Sequence, residues 1–164
     1  VADLTQFLQL FNPLPGNRYL QVTTLADETT TALADILKSV GGTLNLVYYC
    51  EDEAGLQKEF INVNVQKIPN FSLPFRALPR EHDMVILKDI FHLHKNQKQM
   101  LKIVYTTLAN TANVIIMEKK GVMDVEAIKN LLESNEFRAP NGIEVLEGYD
   151  LVMAKKMHMW GNGL

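Results

Sequence analysis

A single cysteine, Cys50, serves the whole sequence of 164 residues. It can close no internal disulfide and has no companions at zinc-ligand spacing, which suits a reducing compartment. No apolar run approaches the roughly 18 to 20 residues that span a bilayer. No basic segment followed by an apolar one opens the chain as a secretory leader would. The expected location is therefore the cytoplasm, with no membrane partner. Charge of one sign is also lacking: 16 Lys and Arg stand against 19 Asp and Glu, a net charge of −3. That balance removes the electrostatic case for a nucleic-acid partner. Internal repeats, low-complexity tracts and long linkers are absent too, and the hydrophobic fraction of 47% is that of a globular protein. The expectation is one domain over 1–164.

What is present is an alternation of helical and extended patterns, which argues for a mostly parallel sheet with helices on both faces. Leu4, Phe7, Leu8, Leu10 and Phe11 stand at helical spacing until Pro13-Leu14-Pro15-Gly16 stops them. A strand is expected from Arg18 to Leu25. Asp27 then caps a helix with Glu28 in its first turn, where a carboxylate meets the positive end of the dipole. Ala32, Leu33, Ile36, Leu37 and Val40 form its buried stripe, and Gly41-Gly42 ends it. Thr43 to Cys50 reads as a strand buried on both faces, and Phe60 to Ile68 as a half-exposed strand near an edge. Pro69, Pro74 and Pro79 exclude a helix of useful length from the next segment. A strand at 83–89, a helix at 95–109, a strand at 113–118 and a helix at 124–135 capped by Asp124 come next. Two extended runs, Gly142 to Leu146 and Asp150 to Met157, flank a short bend at Glu147-Gly148-Tyr149 that sets the last strand antiparallel. The fold class is α/β, a doubly wound sheet with a reversed C-terminal strand.

With these elements in order, the sequence resembles a class I S-adenosylmethionine-dependent methyltransferase domain over nearly its whole length. The C-terminal half carries most of the likeness: DMVILKDIFHLHKNQKQMLKIVYTTLANTANVIIMEKK is strand, loop, helix and strand in the family's order, and LLESNEFRAPNGIEVLEGYDLVMAKK supplies the closing helix and reversed hairpin. IPNFSLPFRALPREHDMVIL resembles the family's approach to its fourth strand. The resemblance implies a Rossmann-like methyltransferase fold and S-adenosylmethionine as cofactor.

The sequence departs from the family in its first turn. A glycine-rich turn normally lets the backbone approach the methionine and ribose, because glycine tolerates positive φ. Here Leu20-Gln21-Val22-Thr23-Thr24-Leu25-Ala26-Asp27 contains no glycine, and Gln21 stands where the family has an acid. By resemblance the cofactor-binding candidates are Gln21, Thr23, Thr24, Ala26 and Asp27, with Glu51 and Asp52 after the second strand accepting from the ribose diol. The alternative for Asp27 is capping alone, and for Glu51 and Asp52 a solvated acidic loop. After the fourth strand come Lys88, Asp89, Phe91, His92 and His94, among which Asp89 and His92 are candidate general bases for methyl transfer. Two histidines two residues apart lack a third ligand, so no metal is expected.

Two functions compete. One is a methyltransferase acting on an unidentified small molecule or protein; the other is a non-catalytic interaction or assembly module that has lost cofactor binding. The short connectors beside the second and third strands leave that sheet edge thinly covered, and the tail around Trp160 is rich in Met. Exposed apolar edges and Trp or Met mark contact surfaces. A homodimer burying that edge or the Trp160 tail is therefore expected, with a light-scattering mass twice that of the 18.6 kDa chain; a monomeric mass would refute it.

Overall fold

The computed structural model describes residues 3–50 and 63–157. Glu51, Asp52, the start of the strand expected at Phe60 and the Trp160 tail lie outside the described residues. One seven-stranded sheet organises the rest, in the order β3-β2-β1-β4-β5-β7-β6. In chain order the elements are α1 (Thr5–Leu8), β1 (Arg18–Thr23), α2 (Glu28–Lys38), β2 (Thr43–Tyr49), β3 (Val63–Ile68), β4 (His82–Lys88), α3 (Gln97–Thr107), β5 (Leu108–Lys119), α4 (Val125–Ser134), β6 (Phe137–Ile143) and β7 (Tyr149–Lys156). β1 lies parallel to both β2 and β4, β2 to β3 and β4 to β5. β7 runs antiparallel between β5 and β6. The strand order reverses between β1 and β4, and ligand crevices in open α/β sheets form beside such a point, at the strands' carboxyl ends.

Side chains alternate across a strand, so each central strand feeds two cores. Leu20, Val22, Val85, Leu87, Val114 and Ile116 pack with Met100, Leu101 and Val104 of α3 on one face. Tyr19, Met84, Ile86, Ile115 and Met117 pack with Phe7 of α1, Phe11 beyond it, and Leu33 and Leu37 of α2 on the other. α2 starts where Asp27 was expected to cap it: its side chain accepts from Thr29 N, and Thr30 returns a bond to the Asp27 backbone in a capping box. Asp124 caps α4 by accepting from Ala127 N.

Several boundaries differ from the sequence reading, most clearly in β1, β5 and β6. β1 ends at Thr23, because the Thr23 hydroxyl bonds the Leu25 backbone and turns the chain. β5 starts at Leu108 directly off the end of α3. β6 begins at Phe137 rather than Gly142 and runs through Pro140, which a register shift between Arg138 and Asn141 and a positive φ at Ala139 accommodate.

The connector from β3 to β4 contains no helix, as its three prolines require, but it covers the sheet nonetheless. Phe75 is buried and Phe71 partly so against the α3-side core. Phe71 stacks on Tyr49 with centroids 6.3 Å apart, and the Tyr49 hydroxyl donates to Leu73 O at 2.7 Å. His94 Nε2 reaches the same carbonyl at 3.1 Å while its Nδ1 accepts from Asn96 N. His94 is thus a buried strut under the loop. At the opposite edge, the buried Lys156 of β7 donates to Tyr105 O and Leu108 O at 2.7 and 2.8 Å, closing the carboxyl end of α3, where a cation meets the negative end of the helix dipole.

Gly42 follows α2 with its α-carbon pressed on the preceding loop: a Cβ there would lie 2.6 Å from Asn17 O and 3.0 Å from Leu37 Cδ2. Gly42→Ala is expected to cost about 2 kcal/mol, the scale of overpacking, read as a lower urea midpoint with an unchanged slope; an unaltered midpoint would show that the turn yields freely.

Candidate active site at the carboxyl edge of the sheet

A crevice of about 280 Å³ opens beside the carboxyl ends of β1, β4 and β5, lined by Thr24, Leu25 and Asp27 after β1, Lys88, Asp89, His92 and Leu93 at and after β4, Glu118, Lys119 and Val122 at and after β5, and Tyr149 at the start of β7. It sits at the reversal of strand order. Tyr149 belongs there because β7 is reversed, so its first residue pairs with Lys119, the last of β5.

Lys88 forms the floor. Its side chain is 1% exposed, and Nζ lies 2.8 Å from both Asp27 Oδ2 and Asp89 Oδ2. Alternation along β4 puts Met84, Ile86 and Lys88 on the α2 face, which aims the ammonium at the capping residue of α2. Asp89 also accepts from the Tyr149 hydroxyl at 2.7 Å, and the Lys88 ammonium lies 5.0 Å from the Tyr149 ring centroid. Asp89 has a φ of +57°, a left-handed conformation that asparagine and aspartate adopt more readily than other side-chain-bearing residues. Its carbonyl accepts from Thr24 Oγ1, so the loops after β1 and β4 are tied together.

Burial disfavours the Lys88 ammonium, yet the hydrogen bonds it donates to Asp27 and Asp89 and the Asp27 charge together outweigh it and hold its pKa above that of an ordinary lysine. For Asp27 burial likewise opposes ionisation, but the Lys88 and Thr29 hydrogen bonds and the Lys88 charge prevail, and its pKa falls below the usual carboxylate value.

On the β5 side Glu118 is buried at the end of its strand and contacts His92 twice: the His92 backbone N–H lies 3.4 Å from Oε1, and the imidazole Nδ1 pairs with Oε2. Burial raises the Glu118 pKa; the His92 charge and backbone hydrogen bond oppose this, and the Asp89 charge adds to it. The His92 side chain is 38% exposed and borders the crevice.

Of the sequence-derived cofactor candidates, Thr24 and Asp27 line the crevice. Ala26 is half-buried beside it. Gln21 and Thr23 are fully buried: Gln21 donates to Thr29 Oγ1 and accepts from Thr30 Oγ1, pinning the first turn of α2 to β1. The place held by an acid in glycine-rich relatives is thus filled by an amide facing the helix. Asp89 and His92 both line the crevice. Glu118 and Tyr149 were not anticipated. Glu118 closes an apolar run, and a charge at the carboxyl end of a buried strand was the available signal for it; Tyr149 becomes a site residue only through strand order. Among the described residues no group of three or more His, Cys, Asp or Glu is placed to hold a metal ion.

No protein-family model matches the sequence, and no curated protein matches it. Solved structures do. A SAM-dependent methyltransferase from Aquifex aeolicus superposes with a TM-score of 0.75 at 18% identity, over 95% of this chain and 90% of that one. The chain has the class I methyltransferase fold. Haemonchus contortus phosphoethanolamine N-methyltransferase 2, in complex with S-adenosyl-L-methionine, superposes with a TM-score of 0.71 at 10% identity over 94% of this chain. The CurJ carbon methyltransferase gives 0.70 at 13% over 92%. This chain spans about half the length of each of the latter two, 52% and 51%. At such identities the likeness is one of fold.

Asp27 and Asp89 face one buried cation, Lys88, while Glu118 lies against His92 and Lys119 stands exposed on the rim. Lys88→Met should leave the two aspartates facing each other unpaired and cost about 3 kcal/mol, as breaking a buried pair does, measured by urea unfolding at neutral pH. Because the folded pKa of Asp27 is depressed below 3.8, its contribution is present above that value and lost as pH falls through the lower folded one. Asp27→Asn should therefore be less stable than the parent at pH 7, with the gap closing in strong acid. A gap independent of pH would refute the ion-pair assignment.

Proposed function

We propose that this protein is an S-adenosylmethionine-dependent methyltransferase-like protein that binds its cofactor along the carboxyl edge of β1 and β2, with the methionine end directed to the crevice beside β4. The single observation that carries this reading is the acid-lined crevice at the reversal of strand order in a sheet of methyltransferase topology. Thr24 and Asp27 border the cofactor's methionine end, and Glu51 and Asp52 are the candidates for the ribose. When bound, the cofactor supplies an electrophilic methyl group; the protein's part is to hold the acceptor in line with it and to exclude competing nucleophiles. We place the protein in the cytoplasm, in keeping with its single cysteine. No helix among the described residues is long and apolar enough to cross a membrane.

A second reading, a non-catalytic module of the same fold, draws support from a specific observation: Gln21, Thr23, Thr24 and Asp27 all have side chains engaged in internal hydrogen bonds. Isothermal titration separates the two. The enzyme reading expects micromolar binding of S-adenosylmethionine and S-adenosylhomocysteine; absence of heat up to millimolar ligand would leave the module reading.

A further inference from the structure

The sheet face beneath α3 is apolar along its centre, where Leu20, Val22, Val47, Val85 and Leu87 share one core. Its amino end beside β2 and β3 is built differently. Asn45 of β2, Asn64 and Gln66 of β3, His82 at the start of β4, and Arg76 and Glu81 from the connector before it line a cavity of about 250 Å³. This is the opposite end of the strands from the carboxyl-edge crevice, and the two share no lining residue. Packing alone does not require six polar side chains here, since apolar ones would cover the sheet without needing partners.

The hydrogen bonds behind the cavity all run one way. Thr107 donates its hydroxyl proton to Leu78 O at 2.8 Å, so it accepts from His82 Nδ1, also at 2.8 Å. His82 is buried, and burial holds its pKa below the ordinary histidine value. The neutral ring leaves Nε2 to accept from Asn45 Nδ2 at 2.8 Å. With its nitrogen turned to His82, Asn45 presents Oδ1 to Asn64 Nδ2 at 3.2 Å. Every donor points inward, and the chain ends at Asn64 Oδ1, an acceptor on an exposed residue.

Two charges face the same space. Glu81 uses Oε1 to accept from Leu78 N and has no partner for Oε2 among the described residues. Arg76 is fixed by its backbone, which exchanges bonds of 2.9 and 2.8 Å with the Gln66 amide. Its guanidinium is exposed and makes no ion pair among the described residues, with Glu81 or any other carboxylate. Opposite charges that line one cavity without pairing suit a ligand that carries both. A guanidinium fork matches a carboxylate, and an ammonium needs acceptors such as Glu81 Oε2 and Asn64 Oδ1. The volume lies below the roughly 300 Å³ at which drug-sized pockets begin, which limits the ligand to a small metabolite.

We infer that this cavity is a binding site for a free α-amino acid, its carboxylate on Arg76 and its ammonium on Glu81 and Asn64. The site stands apart from the function proposed above and does not depend on it.

The test titrates the full chain with L-norvaline, with pentanoate, which lacks only the ammonium, and with butylamine, which lacks only the carboxylate. Norvaline is expected to bind, and each analogue to bind about tenfold more weakly, the scale of a lost charge-assisted hydrogen bond. Arg76→Gln should bring norvaline down to the level of butylamine and leave butylamine unchanged. Glu81→Gln, which keeps an acceptor for Leu78 N, should bring norvaline down to the level of pentanoate and leave pentanoate unchanged. A merely structural role would weaken all three ligands together. The side-chain amide NMR signals of Asn45 and Asn64 should shift as norvaline is added. Norvaline binding no tighter than its analogues, or equal loss of all three ligands in either variant, would overturn the site. Norvaline binding that both variants leave intact would overturn it too, placing the amino acid in the carboxyl-edge crevice instead.

Discussion

The carboxyl edge of this sheet depends on one buried ammonium. Lys88 lies at the end of a central strand, where water cannot reach it, and a lone buried cation is not tolerated. Its two carboxylate partners come from different places: Asp27 from the turn that opens α2, Asp89 from the turn that leaves β4. Holding both, Lys88 fixes the distance between the loops on either side of the strand-order reversal. The capping box of α2, the left-handed turn at Asp89 and the orientation of Tyr149 each involve a residue of this cluster.

That arrangement replaces a glycine-rich turn by other means. In a loop with a Cβ on every residue, the backbone cannot close tightly over a ligand, and here the space near the turn is occupied by an amide and a carboxylate bonded to the first turn of α2 and by two hydroxyls bonded to the Leu25 and Asp89 carbonyls. The remaining opening lies towards β4 and β5. Its floor is charged and its rim largely apolar, a contrast set by where strands end: the last residue of a buried strand emerges beside solvent, and charged side chains at those positions meet in one place.

Much of this was legible in the sequence. Period-two and helical spacings located the strands and helices, and Asp27 and Asp124 announced their helices because capping is local chemistry. The prolines at 69, 74 and 79 correctly denied a helix between β3 and β4. What the sequence hid is what depends on strand order. Glu118 and Tyr149 are thirty-one residues apart in the chain, by their numbers, and enter the same crevice only because β7 pairs with β5. Gln21 looked like a ligand group by its place in the family pattern, but alternation along β1 aims it at α2. The cover supplied by Phe71, Phe75 and the His94 strut was illegible for the same reason, since a proline-rich loop carries no periodicity from which burial can be read.

The insertion of β7 between β5 and β6 also orders events in time. A ribosome releases β5, α4 and β6 before β7 exists, so the emerging chain carries a long apolar strand, Leu108–Lys119, whose outer edge has no neighbour. Bare strand edges are templates for unwanted pairing. The same late segment brings Lys156 to the open carbonyls at the end of α3, so a helix made some fifty residues earlier gains its terminal cation only as the sheet seals. The final strand thus acts as a latch on structure already formed, and nascent chains stalled short of it are the population most exposed to aggregation.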